Sequence, residues 1–276
     1  MMKTVTLPDG RGLPVMGLGT WRMGERGSDK AAETRVIQKA LDLGISLIDT
    51  AEIYGNGGSE RVVGDAIRGR RDDAFIVSKV APSNASRRGT IRACEASLGY
   101  LGIETLDLYL LHWRGGVPLA ETVEAFETLK TQGKIRAWGV SNFDVDDLED
   151  MPNLAECSAN QVLYNPQSRG IEFDLLPFCQ SHNIPIMAYT PLGQSGVVLK
   201  NAAIAGVARR HNATPGQVIL AWGIRHAGVV TIPKTATLAR VEENLGAVSL
   251  QLSAEDLAEI DRAFPAPRRK ASLEML

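Results

Sequence analysis

The sequence predicts an α/β protein, a (β/α)8 barrel of the TIM type with an N-terminal β-hairpin and extra helices, forming a single domain over residues 1–276. Three observations predict it. From Val15 onward, eight short apolar runs alternate with stretches of helical periodicity. Each run is apolar almost throughout, as strands buried on both faces of a parallel sheet are. The length of 276 residues suits one barrel of about 250 residues. An open doubly wound sheet shares the alternation, but the count of eight and the length favour closure.

Residues 3–14 (KTVTLPDGRGLP) read as the hairpin, with Asp9-Gly10 in its turn. The strand candidates are 15–21, 46–51, 74–80, 105–112, 135–142, 159–165, 185–191 and 229–234. Helices fall near 30–43, 58–69, 87–100, 119–132, 144–150, 171–182, 199–212 and 215–227. Two more, near 238–246 and 253–264, follow the last strand. The final helix opens at Ser253, with Glu255 and Asp256 favourably placed in its first turn. No Pro/Gly/Ser-rich linker divides the chain.

Hydrophobic residues make up 44% of the sequence, enough for a sizeable core. The net charge of -2 offers nucleic acid no basic field. Arg68/Arg70/Arg71, Arg87/Arg88 and Arg268/Arg269/Lys270 lie apart and read as solvated surface. Cys94, Cys157 and Cys179 are odd in number and lack CxxC spacing, so neither a disulfide frame nor a metal site is expected. Cys157, ahead of a strand, reads as partly exposed, and His182, His211 and His226 as surface residues without ligand spacing. The N-terminus lacks the apolar run of a signal peptide. A cytoplasmic monomer with no membrane or nucleic-acid partner is expected.

Chemistry in such a barrel collects where strands end. Asp49, Lys79 and His112 each interrupt or close an apolar run, near the ends of the second, third and fourth strands. A charge in that setting is costly unless paired or used. At matched depth on neighbouring strands the three meet at one spot, and Tyr54, in the loop after Asp49, can bend back over it. A phenol is a poor acid at neutral pH. A nearby Lys79 ammonium stabilises the phenolate, Asp49 keeps the lysine charged, and neutral His112 can donate to a carbonyl oxygen. The set is a proton-donor assembly for carbonyl reduction, with hydride supplied by a cofactor. Two other readings stay open: a Schiff-base lyase using Lys79, and a non-catalytic NADPH-binding scaffold or redox sensor.

Lys234 ends the eighth strand and Arg240 lies in the first turn of the next helix. Two cations beside a helix N-terminus suit a 2′-phosphate, favouring NADPH over NADH. A Rossmann reading fails, because Gly55-Asn56-Gly57-Gly58 has Glu60 where a third glycine is needed.

The segments GLGTW (17–21), LIDTAEIYGNGGSE (47–60), IVSKV (76–80), LDLYLLHW (106–113), GKIRAWGVSNF (133–143), NQVLYN (160–165), AYTPLG (188–193) and IPKTATLARVEENL (232–245) resemble, in order, those of the aldo-keto reductase superfamily. The stretch 160–179 and the ending AFPAPRRK (263–270) further resemble a bacterial branch that includes methylglyoxal reductases. The resemblance implies NADPH/NADP+ as cofactor and Tyr54, Lys79, Asp49 and His112 as the catalytic set. It implies that Ser141, Asn142 and Gln161 hold the nicotinamide carboxamide and that Tyr189 stacks on the ring. Gly19, Thr20, Trp21, Asp49, Thr190, Pro191, Leu192, Gln194 and Ile232 are implied as further cofactor contacts. Lys234, Thr235, Arg240, Glu243 and Asn244 would take the adenosine end. Trp21, Tyr54, His112 and Trp113 are implied around a small carbonyl substrate such as an aldehyde or a dicarbonyl like methylglyoxal. Tyr164-Asn165 departs from the His-Pro of other branches, and Thr190 stands where many members have serine. The segment 113–120 and the tail past residue 265 are short, which predicts an open pocket.

Overall fold

The computed structural model describes residues 2–194 and 196–276. Strands β1 (Thr4–Thr6) and β2 (Gly12–Pro14) form the expected hairpin, Val5 opposite Leu13. Eight parallel strands follow: β3 (Gly17–Gly19), β4 (Leu47–Asp49), β5 (Phe75–Val80), β6 (Leu108–Leu111), β7 (Trp138–Ser141), β8 (Cys157–Leu163), β9 (Ile186–Tyr189) and β10 (Val229–Thr231). Each pairs with the next in sequence. The sheet closes on itself through parallel bridges Met16–Thr231 and Gly19–Lys234, with Thr231 N–H donating to the Val15 carbonyl at 2.9 Å. A barrel, not an open sheet, is what forms.

The intervening helices are α1 (Lys30–Asp42), α2 (Gly58–Ile67), α3 (Arg87–Leu101), α4 (Leu119–Thr131), α5 (Val145–Glu149), α6 (Leu175–Ser181), α7 (Ala202–Arg210) and α8 (Pro215–Gly223). After β10 come α9 (Leu238–Leu245) and α10 (Ala254–Ala263). Local chemistry sets their ends. Thr214 and Gln217 close a capping box in front of α8, whose first residue is Pro215, and Ser253 and Asp256 do the same for α10. Gly102 ends α3 in the left-handed region that glycine enters without strain.

Alternation along each strand sorts side chains into two cores. Leu47, Val77, Leu108, Leu110, Met187 and Val230 point inward and fill the barrel, joined by Leu7 and Leu13 of the hairpin. The Arg11 guanidinium donates to the carbonyl of Asp107, just before β6, so the hairpin plugs the N-terminal end. Ile48, Ile76, Tyr109, Leu111, Trp138 and Val162 face outward against the helices. Burying each such side chain contributes roughly 1.5–3 kcal/mol. With the hairpin across the N-terminal end, the cleft described below lies at the C-terminal ends of the strands.

Three surface expectations are corrected. Cys157 is fully buried as the first residue of β8, and burial pushes its thiol up to about 12. Arg71 is not a free surface cation, since it donates to the buried Asp107 carboxylate at 2.7 Å. His211 is tied by Nε2 to Asp256 at 2.6 Å, fastening the end of α7 to α10. No helix among the described residues is long and apolar enough to cross a membrane.

Candidate active site

Asp49, Lys79 and Gln161 stand on the inward face of their strands, at or near the C-terminal ends. Their depth is not matched by register. Asp49 pairs with Val77, and Lys79 pairs with Leu110, so each polar residue stands two positions further along its strand than its neighbour's partner. Strands in a barrel tilt against its axis, and the stagger offsets that tilt. The groups therefore converge in space although they step along the sheet.

Lys79 is fully buried. Its Nζ donates to both Asp49 carboxylate oxygens at 2.8 Å and to the Thr50 carbonyl at 2.8 Å, with the Tyr54 hydroxyl 3.5 Å away. Burial alone would lower the ammonium pKa, but the Asp49 charge and the Tyr54 hydroxyl more than offset it, leaving Lys79 above its ordinary 10.5. Gln161 Nε2 adds a further donor to Asp49 Oδ1, at 2.7 Å across the barrel.

Tyr54 returns toward Lys79 because the chain turns sharply behind it. Gly55, Asn56 and Gly57 take φ of 58°, 52° and 76°, a left-handed run that glycine and asparagine tolerate. A hydroxyl network fixes the backbone below. Thr20 Oγ1 donates to the Asp49 carbonyl at 2.8 Å, and Ser59 Oγ meets both Thr20 and Thr50 side chains. Thr20 is thereby fully buried beneath the site, so the structure does not place it among the cleft-lining residues expected to touch cofactor.

Burial holds the Tyr54 phenol above its ordinary 10.0, with Lys79 pulling against that rise. The net direction is upward, opposite to the sequence expectation, and it keeps the phenol protonated. Its ring lies edge-on to His112, centroids 5.7 Å apart. Burial and then the Lys79 charge push the His112 imidazole from 6.5 down to about 2, so the ring is neutral. His112 packs in turn on Trp113 at 4.9 Å.

On the opposite wall, Ser141 Oγ donates to the Gln161 carbonyl at 2.8 Å and Asn142 Nδ2 to the His112 carbonyl at 3.1 Å. The Tyr189 hydroxyl donates to Asn142 Oδ1 at 2.9 Å. Between the walls lies a cleft of about 360 Å³ lined by Tyr54, His112, Asn142, Gln161 and Tyr189, with Gly19, Trp21, Trp113, Thr190, Gln194, Ile232 and Lys234 around its rim. Pro191 is buried and Leu192 packs against the core behind this wall.

Three wall residues were missed by sequence reasoning: Ile53, Met275 and Leu276. Ile53 was legible, as the apolar residue beside Tyr54 in the same loop. The other two contradict the expectation of an open pocket. Lys270 pairs with Asp144 and Asp174, Leu273 packs on the core, and Ser168 donates to Glu274 at 2.7 Å. These contacts lead the short tail back over the cleft.

Lys234 lines the cleft, and Arg240 lies in the first turn of α9, which follows it in the chain. Lys234 and Arg240 are exposed, and among the described residues neither has a carboxylate within salt-bridge distance. Thr235 accepts from Thr237 N–H at 3.2 Å, shaping the approach to α9. Glu243 is turned toward α8, accepting from Thr214 Oγ1 at 2.6 Å, and Asn244 is buried beside it.

The Aldo/keto reductase family model matches residues 15–264 of this chain. The chain is 49% identical to methylglyoxal reductase YeaE of Escherichia coli, covering 96% of this chain and 95% of that protein. It is 39% identical to the glyoxal reductase of Bacillus subtilis, over 94% and 91% of the two chains. Among solved structures it resembles an aldo/keto reductase from Klebsiella pneumoniae crystallised with NADP and acetate, at TM-score 0.96 and 47% identity with both chains fully covered. A structure of an aldo-keto reductase from the same organism with NADPH superposes at TM-score 0.97, with the same identity and coverage.

Proposed function

Because the chain belongs to the aldo/keto reductase family, an oxidoreductase family, we propose that it reduces small aldehydes or dicarbonyls such as methylglyoxal to alcohols with NADPH, Tyr54 acting as general acid. The observation that carries this reading is the fully buried Lys79 ammonium, held by both oxygens of Asp49 and set 3.5 Å from the Tyr54 hydroxyl.

The residues present fit the cofactor. Lys234 and Arg240 offer two cations at the start of α9, a suitable place for a 2′-phosphate dianion. Ser141, Asn142 and Gln161 offer amide and hydroxyl groups at the inner end, and Tyr189 a ring face. When bound, NADPH supplies the hydride that reduces the carbonyl carbon.

The chain's own residues manage the oxygen and the proton. Neutral His112 borders the cleft and can donate one hydrogen bond to the carbonyl oxygen without adding charge. Tyr54, protonated at neutral pH, gives its phenolic proton to that oxygen as it becomes an alkoxide. The phenolate left behind faces the Lys79 ammonium, which stabilises it until solvent returns the proton. Asp49 keeps the lysine charged throughout. This last point argues against a Schiff-base role for Lys79, which needs a free amine. Trp21, Ile53, Trp113, Met275 and Leu276 bound the substrate end with apolar surface, which favours small carbonyl compounds.

Initial rates of NADPH consumption over methylglyoxal, glyoxal, aromatic aldehydes and keto-sugars test the proposal. The expected result is one NADPH oxidised per carbonyl reduced, with the highest kcat/KM on the small dicarbonyls. Tight NADPH binding without turnover on any of them would instead favour a non-catalytic scaffold.

A further inference from the structure

The pair Tyr164-Asn165 lies just beyond β8 and outside the catalytic set. Asn165 is almost completely buried. Its Oδ1 accepts from Gln167 N–H at 2.9 Å and from Ser168 N–H at 3.2 Å, closing the turn 165–168. Its Nδ2 points the other way and donates to the Thr190 carbonyl at 3.1 Å. Thr190 carries φ of 49°. A β-branched residue in the left-handed region is strained and persists only where neighbours hold it. Besides Asn165, the Gly193 N–H holds the same carbonyl, at 3.0 Å.

Thr190 directly follows Tyr189 and begins the segment that reaches Gln194 on the cleft rim. The turn that Asn165 closes also carries Ser168, whose hydroxyl donates to Glu274 at 2.7 Å, next to the wall residues Met275 and Leu276. Below it, the Tyr164 hydroxyl donates to Glu172 at 2.6 Å and accepts from Arg225 at 2.9 Å, giving the turn a fixed base.

We propose that Asn165 is a positioning residue for both walls of the cleft: its amide N–H holds the strained Thr190 backbone on the cofactor side, and its carbonyl oxygen holds the turn that anchors the tail on the substrate side. The inference rests on the reading of the cleft as an NADPH and carbonyl site. Asn165 touches neither reactant. Its two ends act on different walls, so they are separable by substitution. Aspartate keeps the acceptor for Gln167 and Ser168 but faces Thr190 with an oxygen in place of a donor. Alanine removes both.

NADPH affinity by fluorescence titration, carbonyl KM and Tm are measured for wild type, Asn165→Asp and Asn165→Ala, each also in a Thr190→Gly background. Asn165→Asp weakens NADPH binding about tenfold, the size expected when a buried hydrogen bond is lost, and leaves carbonyl KM within about twofold. Asn165→Ala weakens NADPH binding and raises carbonyl KM as well. With glycine at 190 the left-handed turn no longer needs holding, so the NADPH effect of either substitution shrinks to about threefold or less. The Asn165→Ala pair carries the comparison if Asn165→Asp does not fold. Wild-type NADPH affinity in Asn165→Asp, or the same loss with threonine and with glycine at 190, overturns the proposal. Wild type that binds no NADPH overturns instead the functional reading on which it rests.

Discussion

Removal from water disfavours the charged form of Lys79, Tyr54 and His112 alike, and the three differ in what sits beside each. Lys79 has a carboxylate and stays charged; Tyr54 and His112 stay neutral. For His112 this has a consequence for stability. Its folded pKa of about 2 lies below the ordinary 6.5, so below pH 6.5 the unfolded chain takes up a proton that the folded chain refuses. Stability from this residue is therefore complete above pH 6.5 and lost progressively as pH falls toward the folded value. His112→Gln, which cannot charge, is expected to flatten the fall in the urea midpoint between neutral pH and pH ~4. An unchanged slope would mean that the imidazole is already protonated in the fold.

At the scale of elements, the ends of strands and helices carry distinct tasks. The start of α9 presents Arg240 to solvent, and Arg240→Ala is expected to raise the NADPH Kd about tenfold, the value of one charge-assisted contact. The NADH Kd should stay within about twofold, because NADH has no 2′-phosphate for Arg240 to meet. Equal loss for both nucleotides would place Arg240 elsewhere in binding. The tail 270–276 acts at the other end of the cleft. Removing Met275 and Leu276 strips two apolar walls and is expected to raise the methylglyoxal KM about five- to tenfold, in keeping with the modest value of small apolar contacts. Unaltered KM in that truncated chain would show that the tail does not touch substrate. The strands and α-helices were legible in the sequence, because apolar periodicity and capping residues such as Ser253 and Thr214 are local signals, whereas the short 3-10 helices Arg71–Asp73, Pro82–Asn84 and Leu154–Glu156 were not. The tail's path was not, since it depends on Lys270 finding Asp144 and Asp174, far away along the chain.

For the whole molecule, the barrel brings residues from separate βα units to one mouth; Gln161 reaches Asp49 across 112 positions of sequence. That contact could not be read from the sequence, whereas Asp49, Lys79 and His112 could, because a charge or imidazole in an apolar strand stands out by itself. Thr20, which the resemblance implied as a cofactor contact, is buried against Ser59 of α2 and the Asp49 carbonyl. What the fold contributes to chemistry is a sealed interior beneath Lys79 and an opening above Tyr54, so that charge is held on the dry side and reactants enter on the other. Tyr54→Phe tests this division most directly, because it deletes a single oxygen and leaves the walls of the cleft in place. Turnover of methylglyoxal should fall by about 10³-fold or more, within the range for loss of a general acid, while NADPH Kd by fluorescence titration stays within about twofold of wild type. A phenylalanine variant that reduces methylglyoxal at the wild-type rate would contradict the account.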